Sequence, residues 1–254
     1  MSKYHSIGIV ILAAGEGKRM NSHIPKVMHL LHGKPLVEHV VGTVELSECC
    51  TKPVVIVSPN HTLVQDHLGD RVQYVIQPEQ LGTGHATAQA EELLKSQVDD
   101  VIVLYGDMPF VTADSIKRLS QRHVERGNTV TMMTITVPHF EGVFKPFYSF
   151  SRVIRGGEGN HIQRIVECKD ATENELEIKE VNPCYFCFSS DWLWKKLKTV
   201  DNNNIQKEYY LPDVVKMAID EGESISSIDV DYTEAVGINT KEDLDIAHQH
   251  LTKK

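Results

Sequence analysis

No stretch of this 254-residue chain stays apolar for long enough to cross a bilayer as a helix. The N-terminus, MSKYHS, lacks the apolar region of a secretion signal, so a cytoplasmic protein with no membrane partner is expected. Positive charge is in short supply: 26 Lys and Arg against 35 Asp and Glu leave a net charge of −9. An acidic balance of that kind argues against a general nucleic-acid surface. Cysteines are few, odd in number and scattered at positions 49, 50, 168, 184 and 187, which suits reduced thiols better than a disulfide framework. Cys184-x-x-Cys187 has metal-like spacing, but no second pair lies nearby. It also falls in VNPCYFCFS, which reads as a strand, where residues three apart face opposite sides. Core packing is the better account of that pair. The thirteen histidines show no ligand spacing either, and no Ser-His-Asp or Cys-His constellation is apparent. Internal repeats, low-complexity tracts and flexible linkers are missing as well, the hexapeptide periodicity of a left-handed β-helix among them.

What is present is ample apolar material, 41% of residues, enough for one large α/β domain or a core with a small lobe. Strand-like runs at Ile7–Leu12, Val54–Val57, Val72–Ile76 and Val101–Tyr105 alternate with helical patterns. Leu36, Val37, Val40, Val41 and Val44 recur at helical spacing behind Pro35, and further helices are predicted at Gly84–Ser96 and Ala113–Arg126. Beyond residue 128 the pattern changes to longer strands at Thr129–Val137, Phe147–Ile154, His161–Val166 and Val181–Phe188, which suggests antiparallel pairing. Helices at Asp191–Lys198 and Glu208–Glu221, a strand at Ser224–Val230 and a helix opened by Thr240 and Asp243 complete the chain. The expected fold class is α/β: a Rossmann-like mixed, mainly parallel sheet flanked by helices, with a smaller β-rich lobe. One domain is expected, divided into a first half (1–128), a lobe with its return to the core (129–239) and a C-terminal helix (240–254).

Three segments carry chemistry. In IVILAAGEGKRMNSHIPK a buried strand ends in small residues, with Lys18, Arg19 and Lys26 close behind. Ala13, Ala14, Gly15 and Gly17 lack bulk and leave backbone N–H groups free to approach a phosphate chain. The plainer reading is a strand-to-helix turn with solvated charges. It is neither a Walker loop, whose Gly-Lys-Ser/Thr ending is absent, nor a dinucleotide fingerprint, whose third glycine is Met20 here. In QPEQLGTGHA, Gly82 and Gly84 permit close approach, and the amides of Gln77 and Gln80 could pair with a pyrimidine edge. An ordinary helix start is the equal alternative. In LYGDMP, Asp107 follows the end of a central-looking strand, where open α/β sheets bind ligands and a carboxylate suits Mg²⁺. Its rival role is that of a turn cap.

Together with IVECKDAT, VNPCYF, NNNIQKEYYLPD and VGINT, these segments resemble, in order and at compatible intervals, the uridylyltransferase half of bifunctional N-acetylglucosamine-1-phosphate enzymes. That family belongs to the sugar-1-phosphate nucleotidyltransferases. The resemblance runs from residue 7 to about residue 240. It implies that residues 1–128 bind nucleotide and 129–239 the sugar. The backbone of Leu12–Gly15 and Lys26 would hold the nucleotide phosphates, while Gln77, Gly82 and Thr83 would contact uracil. Tyr105 and Gly106 would meet the substrate, with Ser151, Glu167, Asn182 and Asn239 on the sugar side. Asp107 and Asn239 would bind Mg²⁺, and Arg19 and Lys26 would stabilise charge on the transferring groups. Taken singly, Glu167 could be an outward-facing strand residue paired with Lys169, Asn182 the start of a turn, and Asn239 a helix-entry residue.

The implied reaction is in-line attack of a sugar 1-phosphate on the α-phosphorus of UTP, with pyrophosphate leaving. It needs positioning and charge neutralisation and no general base. Departures concentrate on the sugar side: Ser151 replaces a glycine, Pro183-Cys184 replaces Thr-Gly, and Leu211-Pro212 precedes Asp213 where Thr is usual. They open the alternatives of another sugar phosphate or nucleotide, or of a non-catalytic nucleotide-sugar-binding regulator. The β-helical acetyltransferase repeat is not expected.

Overall fold

The computed structural model describes residues 5–20 and 22–251, without the side chains of Lys18 and residues 249–251. The strands are β1 (Ile7–Leu12), β2 (Leu30–Leu31), β3 (Lys34–Pro35), β4 (Val54–Val57), β5 (Gln73–Ile76), β6 (Asp100–Tyr105), β7 (Val130–Thr136), β8 (Ser151–Gly156), β9 (His161–Val166), β10 (Glu180–Asn182), β11 (Phe186–Ser189) and β12 (Ile225–Asp229). The helices are α1 (Leu36–Ser47), α2 (Leu63–Leu68), α3 (Thr83–Ala88), α4 (Glu91–Leu94), α5 (Ala113–Arg126), α6 (Glu173–Leu176), α7 (Ser190–Leu197), α8 (Leu211–Asp220) and α9 (Lys241–Leu251).

One mixed sheet carries all the strands except the β2–β3 hairpin, in the order β5-β4-β1-β6-β11-β7-β10-β8-β9, with β12 on the other side of β7. From β5 to β6 every pair is parallel. Strand β11 then lies antiparallel to both β6 and β7, and the β8–β9 hairpin extends the sheet beyond β10. This is the mixed α/β sheet that the sequence predicts.

Both faces of the central strands are covered, so they read as unbroken apolar runs rather than alternating ones. Successive residues still divide between two cores. Ile9, Ile11, Ile102 and Leu104 pack with Val37, Val41, Ile116 and Leu119 of α1 and α5. Val10, Val101 and Val103 pack with Leu193, Trp194, Val214 and Val215 of α7 and α8. Burial of this kind contributes about 25 cal/mol per Å² of apolar surface removed from water.

Four predicted elements differ. The helix expected over Gly84–Ser96 is two short ones, because the side chains of Thr87 and Gln89 bond to the carbonyls of Thr83 and His85 and the backbone tightens at Ala90, whose N–H reaches Thr87 O. Phe147 does not open a strand. Residues Gly142–Ser149 form a 3₁₀ helix, and Phe147 packs edge-on against Phe150 and Tyr232. The strand expected over Val181–Phe188 is broken between β10 and β11, since Pro183 lacks an N–H and Cys184 adopts φ +68°. Residues 208–210 stay extended ahead of α8, which begins at Leu211 with Pro212 in its first turn.

Candidate functional site

The site forms at the carboxyl ends of β1 and β6, where two consecutive turns lie against each other. Gly106 N–H donates to Leu12 O at 2.9 Å. A Cβ on Gly106 would stand 3.2 Å from that carbonyl oxygen and 3.2 Å from Val27 Cγ1, so glycine keeps the two turns in contact. Ala13 and Ala14 are buried at the start of the loop, while Gly15 is exposed, and a Cβ there would meet nothing within 4 Å. Gly17 is different. It holds φ +64°, and a Cβ would meet Lys26 Cβ at 2.5 Å, so this glycine seats the lysine.

Lys26 is the centre of the arrangement. Its Nζ donates to Asp107 Oδ2 and, at 3.0 Å, to Asn239 Oδ1. Arg19 Nη2 also donates to Asn239 Oδ1, at 3.0 Å. Residues far apart in sequence therefore place a carboxylate oxygen and an amide oxygen around one ammonium. The 237–240 turn is held from both sides. Ile238 N–H donates to Asp107 O at 2.9 Å, and Asp243 Oδ2 accepts from Asn239 N–H and Thr240 N–H at 2.9 Å each. Thr240 Oγ1 accepts from Asp243 N–H in return, which is the capping box expected at the start of α9. The helix-entry role of the Asn239 backbone and the convergence of its side chain on Lys26 coexist.

A second group surrounds the start of α3. Gln77, 4% exposed, uses its amide Nε2 on Gly82 O at 3.2 Å and lies 3.1 Å from His85 Nδ1. Gln80 donates to Ala14 O and so ties this segment to the first loop. Gly82 stands at φ +101°, where a Cβ would lie 2.6 Å from Tyr209 O. The extended Glu208–Tyr210 segment clasps the loop: Tyr209 N–H donates to Leu81 O, Gly84 N–H to Tyr209 O, both at 2.7 Å, and Leu211 N–H to Thr83 Oγ1 at 3.0 Å.

The third group is set by strand register. Asn182 of β10 pairs with Ser151 of β8, and Ser151 Oγ donates to Glu167 Oε1 at 2.8 Å. Glu167, exposed just after β9, is thus tied to Ser151. Asn182 Oδ1 accepts from Cys184 N–H at 2.8 Å, while its Nδ2 is buried with no hydrogen-bond partner. Tyr210 Oη is buried and unpartnered too. Burial, followed by the nearby Glu167 carboxylate, pushes the Cys184 thiol up to about 12, so it remains protonated at neutral pH. Burial, then Cys184 and Asp107, pushes the Tyr105 hydroxyl well above its ordinary range and keeps it a hydrogen-bond donor. Tyr105 links the three groups, because it also bonds to Thr83.

Sequence reasoning passed over the clasp. Glu208, Tyr209 and Tyr210 read as helix, although the adjacent aromatic pair ahead of Pro212 marks the segment as something else. Asp213, whose carboxyl burial pushes above its ordinary range with Glu167 adding to the rise, was also outside the candidate set.

Comparison with known proteins follows the same lines. The bifunctional protein GlmU of Shouchella clausii is 43% identical over 246 residues, and that of Enterococcus faecalis 39% identical over 246. Each alignment covers 96% of this chain and 52% of the relative, so the chain spans about half the length of the curated relatives it matches. Among solved structures, a UDP-glucose pyrophosphorylase complexed with UDP-glucose shares the fold with a TM-score of 0.73 at 14% identity, over 98% of this chain and 99% of that one. A CMP:2-keto-3-deoxy-manno-octonic acid synthetase complexed with CTP does so with a TM-score of 0.72, also at 14% identity and the same coverage. Residues 9–203 match the family described as the MobA-like NTP transferase domain, and the chain belongs to that family.

Proposed function

We propose that this protein transfers a uridylyl group from UTP to a sugar 1-phosphate, N-acetylglucosamine 1-phosphate first, releasing pyrophosphate. The observation that carries this reading is the meeting of Asp107, Asn239 and Arg19 around Lys26, beside the small-residue loop after β1. Two anionic substrates must be brought together here, and the net-acidic chain concentrates cations at that point. Substrates of this kind also favour a cytoplasmic setting and give no role to nucleic acid.

The donor pair fits a hard divalent cation such as Mg²⁺. A carboxylate and an amide oxygen flank one position, and an ammonium already bridges them as a cationic stand-in. When bound there, Mg²⁺ held by Asp107 and Asn239 would neutralise phosphate charge. The rest of the chemistry falls to the chain itself. The backbone of Leu12–Gly15 approaches the phosphates, and the open space at Gly15 leaves room for them. Lys26 and Arg19 offset negative charge on the transferring and leaving groups, which is the largest single catalytic contribution expected in such a site. Gln77, Gly82 and Thr83 hold the base. Ser151, Glu167 and Asn182 orient the sugar with Tyr105, so that a phosphate oxygen meets the α-phosphorus in line. The orphaned Asn182 Nδ2 and Tyr210 Oη offer buried hydrogen-bonding capacity that a hydroxylated ligand would satisfy.

Pyrophosphate release, measured with UTP, CTP and dTTP against a panel of sugar 1-phosphates, tests the proposal. UTP with N-acetylglucosamine 1-phosphate should give the highest kcat/KM. Turnover with another pair would move the specificity and leave the reaction class intact. Tight binding of UDP-sugar without release of pyrophosphate from any pair would overturn the enzymatic reading in favour of a regulator.

A further inference from the structure

At the opposite end of β6 from Asp107, about 20 Å away along the strand, a second group of ligating side chains has no part in the chemistry above. Asp100 opens β6, Cys187 belongs to the adjacent β11, and His123 reaches down from the last turns of α5. The register explains the meeting. Cys187 pairs with Ile102, two residues from Asp100 on the same face of β6, and with Thr131 of β7 on its other side. All three residues are buried, and one ligand atom from each lies within 4.8 Å of the other two.

Two features distinguish this group from an ordinary buried ion pair. His123 Nε2 lies 3.2 Å from Asp100 Oδ1, yet it has no hydrogen-bond partner. The imidazole is only 2% exposed and is oriented from its other edge, where Nδ1 sits 3.0 Å from Thr131 Oγ1. In the tautomer that donates its Nδ1 proton to Thr131, Nε2 presents a lone pair toward a carboxylate oxygen and a sulfur. This is how a metal-ligating histidine is commonly held from behind. In addition, His5 Nε2 rests on Asp100 Oδ2 from the solvent side. Asp100, His123 and His5 line a cavity of about 710 Å³ that provides an entry path.

We propose that Asp100, His123 and Cys187 form a site for a zinc-class divalent cation, with His5 holding the Asp100 carboxylate from the solvent side and water completing the coordination. The donor set, one imidazole with one carboxylate and one thiolate, suits a borderline-soft tetrahedral ion and does not suit Mg²⁺. Zinc ligands lie about 2.0–2.3 Å from the ion and hence roughly 3.3–3.8 Å from one another. His123 Nε2 and Asp100 Oδ1, 3.2 Å apart, are close to that spacing, and the cysteine sulfur lies within 4.8 Å of both. Binding would displace the thiol proton of Cys187, join α5 to β6 and β11 and anchor the segment entering β1. Sequence spacing could not reveal the site, since each ligand comes from a different element.

Cobalt serves as the probe. Chelator-treated protein titrated with Co²⁺ alone should take up about one equivalent, with tetrahedral d–d bands and a sulfur-to-cobalt charge-transfer band. Cys187→Ser should abolish the charge-transfer band, and His5→Asn, at the exposed rim, should weaken cobalt binding about tenfold or more. Asp107→Asn should leave the sulfur-to-cobalt band unchanged, which separates this site from the other end of the sheet. Absence of stoichiometric uptake would overturn the proposal, as would a charge-transfer band that survives in Cys187→Ser. Should Cys187→Ser fail to fold, unaltered cobalt affinity in His5→Asn together with a spectrum lacking the sulfur band in the parent protein would overturn it equally.

Discussion

Replacing Lys26 with methionine should move two measurements in opposite directions. The ammonium is bonded to both Asp107 Oδ2 and Asn239 Oδ1, the two oxygens assigned to the divalent cation. On the proposed function it competes with that cation before nucleotide arrives, and afterwards serves the phosphates. The two side chains are only 15% and 17% exposed. At an effective dielectric near 20, a pair of unit charges about 4 Å apart is worth about 4 kcal/mol. Desolvation of both groups offsets much of this, leaving about 1–2 kcal/mol of net competition. Methionine keeps most of the length of the side chain and loses its charge. Divalent binding in the absence of nucleotide should then tighten by about five- to thirtyfold, at 1.36 kcal/mol per decade. Turnover should fall by about 10²–10³, because a positive charge aimed at the developing phosphate charge has been lost. Mn²⁺ binding followed by electron paramagnetic resonance reads the first effect, and pyrophosphate release at saturating metal reads the second. Weaker Mn²⁺ binding in the variant would show that Lys26 organises the two oxygens rather than occupying their cation position. Near-normal turnover would remove it from the catalytic set.

The other expectations concern the groups around that centre. Asp107→Asn should lower pyrophosphate release by about 10³ while the thermal midpoint stays near that of the parent, and comparable activity in the variant would refute the metal assignment. Gly82→Ala places a Cβ at φ +101° and 2.6 Å from Tyr209 O. It should cost about 2–3 kcal/mol and raise the KM for nucleotide, and an unchanged denaturation midpoint would show that the clasp yields without strain. Ser151→Gly removes the donor to Glu167 Oε1, so selectivity among sugar phosphates should change more than nucleotide KM; equal shifts in both would detach Ser151 from the sugar. Asp213 titrates above its ordinary value because it is buried. A carboxyl raised in the folded state gives stability that is greatest below its unfolded pKa and declines as pH rises through the folded one. Asp213→Asn should therefore raise the thermal midpoint at about pH 7 and lose that gain at about pH 3, near and below the ordinary carboxylate value. A difference independent of pH would contradict the burial argument.

What could be read from the sequence and what could not divide along physical lines. The limits of β1, β4, β9 and α5 follow directly from apolar runs and caps, because local pattern and tertiary burial agree there. The turn after β1 was legible for a related reason. Its function is carried by missing side chains, and Gly15 and Gly17 announce missing side chains plainly. Apolar residues mislead where they serve something other than a sheet. Phe147 belongs to an edge-on aromatic cluster with Phe150 and Tyr232, and Tyr209 offers backbone groups to Leu81 and Gly84. No periodicity distinguishes those uses from a strand or a helix. Distance in space was likewise out of reach: Asp107 was nominated by its place after β6 and Asn239 by resemblance, but only the bond from Ile238 to Asp107 O explains why their oxygens meet.

The sugar side was the least legible, and Cys184 shows why. The related pattern has glycine at this position, and the backbone here keeps the positive φ that glycine would supply, at +68°. A cysteine in that conformation costs about 1–2 kcal/mol, so the turn has kept its shape against a local penalty. The fixed φ of Pro183 reduces the freedom of the unfolded chain and offsets part of it. The backbone that presents Asn182 is thereby retained, with Asn182 Oδ1 accepting from Cys184 N–H, while a thiol now stands near Glu167 and Tyr105. A substitution that preserves the main chain while adding a side chain to the pocket alters which sugar fits more readily than whether the phosphates are aligned. On the proposed function, the sequence departures at Ser151 and Cys184 bear on selectivity, while the Lys26–Asp107–Asn239 arrangement, built from other loops, is free of them.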